Sequence, residues 1–235
     1  MVLRSQIESL LARHVSELTE FEDFKALDSG QASREDYDRF IGNVVRTHLR
    51  SPQVLAFLYA LAPPEAAANL SHNMLEELGI EEESGIAHPS LLRDLAVGAG
   101  LGDRLPELEV GSQEDLRQII VDPILYGTLK EVGLAALIEV VAFEFMLSRV
   151  ASRIAQALAR HLGLPAAALE WFTHHSEVDI RHAEQGIDNV LSYVRYYEFT
   201  DEDAQTICDM ALRENVFIKR YFGEKALART GRQTA

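Results

Sequence analysis

From Thr128 to Leu162 the chain runs without a proline and with one glycine, Gly133, and it stops only at Gly163 and Pro165. A segment this long and this apolar has to be the central helix of whatever it belongs to. Helical periodicity recurs along nearly all of the remaining sequence, while the alternation of Val, Ile and Thr that marks strands is almost missing. The fold class is therefore all-α. Further helices are predicted at about 3–20, 33–49, 52–61 and 64–78, with Pro64 opening the last because its missing N–H is not needed in a first turn. Another should begin at Pro89 and end at Gly100 and Gly102, followed by a loop over 103–112 and a new helix capped by Ser112. The final helices are predicted at 165–196 and, capped by Thr200, at 201–227. Residues 1–228 read as one domain and 229–235 as a frayed tail.

Composition removes several classes of function. A net charge of −15 and a pI near 4.9, with no cluster of Lys and Arg, argue against a nucleic-acid partner. The single cysteine, Cys208, rules out an internal disulfide, and the first residues lack the apolar core of a signal peptide. Glu139 and Glu144 interrupt the longest apolar run, Leu134 to Met146, so it cannot supply the ~20 residues that span a bilayer. A cytoplasmic protein with no membrane role is expected.

The chemistry concentrates between Trp171 and His182. On a helix advancing about 100° per residue, His175, Asp179 and His182 lie at about 0°, 40° and −20°, one narrow face flanked by Trp171, Phe172 and Val178. Two imidazoles and a carboxylate on a core-facing stripe would be costly unpaired, and a metal ion satisfies all three. Alternatively, Asp179 fixes both histidines in a hydrogen-bonded network. Glu144 sits in Leu137–Leu147, too apolar to be a solvated face, and it also needs a partner. Glu139, five residues earlier, points about 140° away and is not expected to share its site. His88, just before Pro89, is held near a helix start, and Glu77 closes the helix before it. Glu76, Glu81, Glu82 and Glu83 surround Glu77 as an acidic run that would ordinarily be solvated. His174 and Glu177 are not expected to be ligands.

These patches resemble, in order, the pattern of the haem-oxygenase-like diiron oxidases. That family's pattern is Asn-x-x-x-Glu with a following His, a Glu on a long central helix, and a terminal His-x-x-x-Asp-x-x-His. Here they are Asn73 through Glu77 with His88, then Glu144, then His175, Asp179 and His182. The resemblance covers the middle half of the chain and implies a bundle of about seven to nine helices without haem. It implies six metal ligands, Glu77, His88, Glu144, His175, Asp179 and His182. Two irons would be shared among them, one taking Glu77, His88 and a bridging carboxylate, with the overall division left open. It also implies dioxygen as co-substrate, an external electron donor and a homodimer. The small-molecule substrate, an amino acid, fatty acid or amine, would be oxidised by C–H abstraction with C–C cleavage, desaturation or rearrangement, or by N-oxygenation. Phe143, Leu147, His48 and Arg50 are candidate substrate contacts, and Arg46 and Arg181 could anchor a carboxylate.

Two departures from the family matter. Phe143 stands where a tyrosine often precedes the central Glu, so chemistry that consumes the protein's own side chains is not expected. Residues 46–53 contain no acid, which sets the chain apart from N-oxygenases that add a Glu from that helix. The absence of Glu-x-x-His disfavours a ferritin-like bundle. Rival readings keep the helical fold but not the iron pair: a thiaminase-like enzyme using Cys208, a non-enzymatic binding protein, or a haem oxygenase with His14 as axial ligand.

Overall fold

A computed structural model describes residues 2–81 and 85–223, apart from the side chain of Ile180. The described residues form helices with no strand. The helices are α1 (Val2–Glu20), α2 (Glu22–Ser29), α3 (Arg34–His48), α4 (Ser51–Ala60), α5 (Pro64–Glu77) and α6 (His88–Gly98). They continue with α7 (Leu105–Leu116), the single turn α8 (Asp122–Ile124), α9 (Leu129–Leu162), α10 (Glu170–Tyr196), α11 (Asp201–Ala211) and α12 (Val216–Phe222). Helix α9 begins with a capping box in which Thr128 accepts from the Glu131 N–H and Glu131 returns to the Thr128 backbone. It ends at Gly163 in the left-handed conformation, φ 67°. Between these caps it is buried on most sides, packing along its length against α10 and also touching α1, α2, α4 and α11. Helix α12 lies on α3, α6 on α3 and α10, and α5 on α4 and α10. No helix among the described residues is long and apolar enough to cross a membrane.

Three sequence expectations are corrected. Helix α2, not predicted, fills the stretch before Gly30, burying Phe24 and Leu27. The expected loop at 103–112 is largely helix α7, which buries Leu108, Ser112 and Asp115 on one face. Pro106 is harmless in its first turn. Gly111 lies within α7 close to Arg46, where a Cβ would sit 3.0 Å from the Arg46 side chain. Ser112 is thus no N-cap; its hydroxyl donates to the Glu109 carbonyl one turn back. The helix predicted over 201–227 breaks after Ala211. Glu214 and Asn215 take positive φ (59° and 51°), and Asn215 turns to cap α12 by accepting from the Ile218 N–H at 3.2 Å. The predicted end at Leu227 and the tail 229–235 lie outside the described residues.

Candidate metal centre

Helix ends bring the first pair together. Glu77 is the last residue of α5 and His88 the first of α6, and Gly79 just after the one packs on Ala87 just before the other. Gly79 has φ +72°, and a Cβ on it would lie 2.6 Å from the Ala87 nitrogen. Only glycine permits that close return. His88 Nδ1 consequently lies 3.2 Å from Glu77 Oε1. His175, from α10, brings Nε2 to 3.8 Å from the same oxygen. Donor atoms of Glu77, His88 and His175 all lie within 4.8 Å of one another.

Asp179 and His182 follow on the same face of α10, and Glu144 approaches from α9 across a close helix contact. Gly186 makes that contact: a Cβ there would meet Val141 at 2.7 Å and Glu144 Oε2 at 3.2 Å. Asn73, one turn before Glu77, donates to Glu144 Oε1 at 2.6 Å. All six residues line one buried cavity of about 70 Å³. His175 is grouped with Glu77 and His88.

Tautomers are set by local partners. His175 Nδ1 donates to the Trp171 carbonyl at 2.7 Å, one helical turn earlier, which leaves the Nε2 lone pair facing Glu77. His182 sits between two acids, with Nε2 2.7 Å from Glu76 Oε2 and Nδ1 3.5 Å from Asp179 Oδ1. Burial opposes charge on the His182 ring, but hydrogen bonds to Asp179 and Glu76 outweigh it and raise the ring to about 10. Burial alone would raise Glu77, yet His88 and His175 pull it well below the usual carboxylate range. Glu144 goes the other way: burial, only partly countered by the His182 charge and reinforced by Asp179, raises it to about 7.

The donor set fits a transition ion. Imidazole nitrogens with a ligating orientation mix with carboxylates, the combination suited to iron, manganese or zinc. Asp179 Oδ2 is buried and has no hydrogen-bond partner among the described residues, an arrangement a cation would relieve.

Other candidates separate. Phe143, Leu147 and His48 line the cavity; Arg50 does not, its Nε reaching Ser112 Oγ at 3.3 Å. Arg46 is held by Asp115 at 2.6 and 2.7 Å, and Arg181 by Glu76 at 2.6 Å. Cys208 is buried on α11 away from the cavity lining, and burial pushes its thiol up to about 12, the opposite of an activated nucleophile. His14 is likewise outside the lining; its backbone carbonyl accepts from Asn215. Contrary to the 140° argument, Glu139 shares the cavity with Glu144. Residues 136, 139, 140, 143, 144 and 147 form one broad stripe of α9, and the two acids occupy its opposite edges. The sequence also passed over Glu76, which is buried within its acidic run and holds His182. Its spacing in the run carried no signal, because its partners come from another helix.

An all-helical bundle with a buried cluster of histidines and carboxylates has the make-up of a helical metal-binding protein. A family model described as iron-containing redox enzyme matches residues 38–214, and the chain belongs to that family. Comparison with curated proteins finds no significant sequence match.

Proposed function

We propose that the protein is a non-haem diiron oxidase that uses dioxygen and an external electron donor to oxidise a small molecule. Glu77, His88 and His175 would hold one iron, and Glu144, Asp179 and His182 the other. A bound iron pair supplies the electrons and open coordination positions that ordinary side chains cannot offer dioxygen.

The chain's own residues do the rest. The Trp171 carbonyl keeps His175 in the tautomer whose Nε2 can ligate, and Asn73 fixes one Glu144 oxygen. Glu144, raised to about 7, is part-protonated at neutral pH without a metal and would lose that proton on binding a cation. Val140, Phe143 and Leu147 line the wall beside these groups, keep bulk water out and present an apolar surface to the substrate. The product would be a desaturated, cleaved or rearranged molecule, or an N-oxygenated amine.

The observation that carries this reading is the convergence of six donor residues from four helices on one buried cavity, with Asp179 Oδ2 lacking a partner. Anaerobic ferrous titration with metal analysis tests it. Wild type should hold two irons per chain and Asp179→Ala about one, with helical circular dichroism unchanged in both. A folded wild-type chain that retains no iron overturns it.

A further inference from the structure

We propose that the cavity takes a protonated amine: a small molecule whose ammonium group sits against Glu139, Thr47 and Ser51 while its carbon skeleton lies along Phe143, Leu147 and Val54. This rests on the cavity being the substrate site of the proposed oxidase, and it narrows the substrate class.

The argument is an inventory of hydrogen-bonding capacity. Apart from Asn73 and the six candidate ligands, the polar residues lining the cavity are Thr47, His48, Ser51 and Glu139. The Thr47 hydroxyl donates its hydrogen to the Asn43 carbonyl at 2.7 Å, and Ser51 donates to the His48 carbonyl at 2.9 Å. Carbonyls can only accept, so both hydroxyls have spent their one donor and offer lone pairs alone. Glu139 is an acceptor as well. Its two hydrogen bonds from Arg220, at 3.1 and 2.8 Å, both fall on Oε1, and Oε2 keeps its lone pairs.

These acceptors line the same cavity as Phe143, Leu147 and Val54, and Arg220 holds Glu139 by one oxygen there. No Lys or Arg lines the cavity. The neighbouring arginines are engaged: Arg46 by Asp115, Arg220 by Glu139 with Asp115 at 3.8 Å, Arg50 by Ser112. His48 adds no positive charge at neutral pH, since burial and the nearby His175 push it down to about 3. A wall that supplies acceptors and one carboxylate satisfies the N–H groups of an ammonium ion and opposes a carboxylate head group. A fatty acid carboxylate is therefore not what this wall recognises.

The test is ligand-observed NMR titration of n-butylamine, n-butanol and butyrate into the full chain, metal-free and zinc-loaded. Butylamine should bind at least about tenfold tighter than butyrate. Glu139→Gln, which keeps an oxygen for Arg220, should weaken butylamine about tenfold and leave butanol unchanged. Thr47→Val, a milder change, should weaken butylamine severalfold, and it decides the matter if Glu139→Gln does not fold. Butyrate binding as tightly as butylamine, or butylamine binding indifferent to the variants, overturns the inference. Iron uptake without amine preference sinks this inference alone, whereas amine preference without iron uptake sinks only the metal assignment.

Discussion

His182 has an acid at each ring nitrogen, and only one of those acids was visible as a partner in the sequence. Asp179 shares its helix face; Glu76 arrives from α5, held by Arg181 at 2.6 Å and by His72 at 3.1 Å. A ligating histidine usually donates its second N–H to a carboxylate, which fixes the ring and raises its basicity. Glu76 can fill that role through Nε2, leaving Nδ1 for an ion beside Asp179. Glu76→Ala should lower the affinity for the second ferrous ion by about 10- to 100-fold while the Glu77, His88 and His175 group keeps its own. Glu76→Gln should restore most of the loss, because its amide oxygen still accepts from Nε2–H. Equal ferrous affinities for wild type and Glu76→Ala, measured by anaerobic titration, would remove Glu76 from the site.

Between elements, the contact of α9 with α10 sets the depth of the site. Gly186 lets the two helices approach where Glu144 enters the cavity. Gly186→Ala has to displace Val141 and crowd Glu144 Oε2, so it should cost about 1–3 kcal/mol in urea unfolding as an overpacked core does. It should also reduce retained iron more than the comparable helix substitution Gly42→Ala, whose Cβ would meet only Leu108 at 3.5 Å. Equal iron retention by both variants would show that helix spacing does not tune the site. The elements that hold the centre were legible because their signals are local: the uninterrupted run of α9, the cap Thr200, and the three-residue face of α10. What was missed depended on contacts from elsewhere in the chain. The stretch 103–112 reads as a loop until α7 buries Leu108, Ser112 and Asp115, Asn215 breaks a helix without Gly or Pro, and Glu139 becomes a cavity residue only because the lining stripe of α9 is broad. Glu76 and Glu77 could not be ranked by sequence spacing, since α10 gives each a different histidine partner.

Across the whole molecule, the buried histidines make the stability of the metal-free protein depend on pH in a predictable direction. His48 is forced neutral, with its folded value near 3 against 6.5 for an ordinary ring. Below pH 6.5 the unfolded chain therefore binds a proton that the folded chain refuses, so this contribution is complete above 6.5 and is lost as pH falls toward 3. His14, lowered chiefly by burial, acts in the same sense. His175 and His182 are shifted upward; their contribution is complete below 6.5 and is lost only as pH rises beyond it, so they leave the acid window untouched. Glu76, lowered to about 2 as His182 and Arg181 overcome the effect of burial, adds its loss below the ordinary carboxylate range. Between pH 6.5 and 5 His48 should supply a slope of up to about 1.4 kcal/mol per pH unit, and Glu144, raised to about 7, an opposing one, because there the folded chain holds a carboxyl proton that the unfolded chain has lost. Urea unfolding of the metal-free protein across that window should show that His48→Gln lowers the slope of stability against pH by roughly that amount relative to wild type. If His48→Gln leaves the slope unchanged, His48 is not held neutral against the Tyr221 hydroxyl, and the uncharged wall it gives the cavity goes with it.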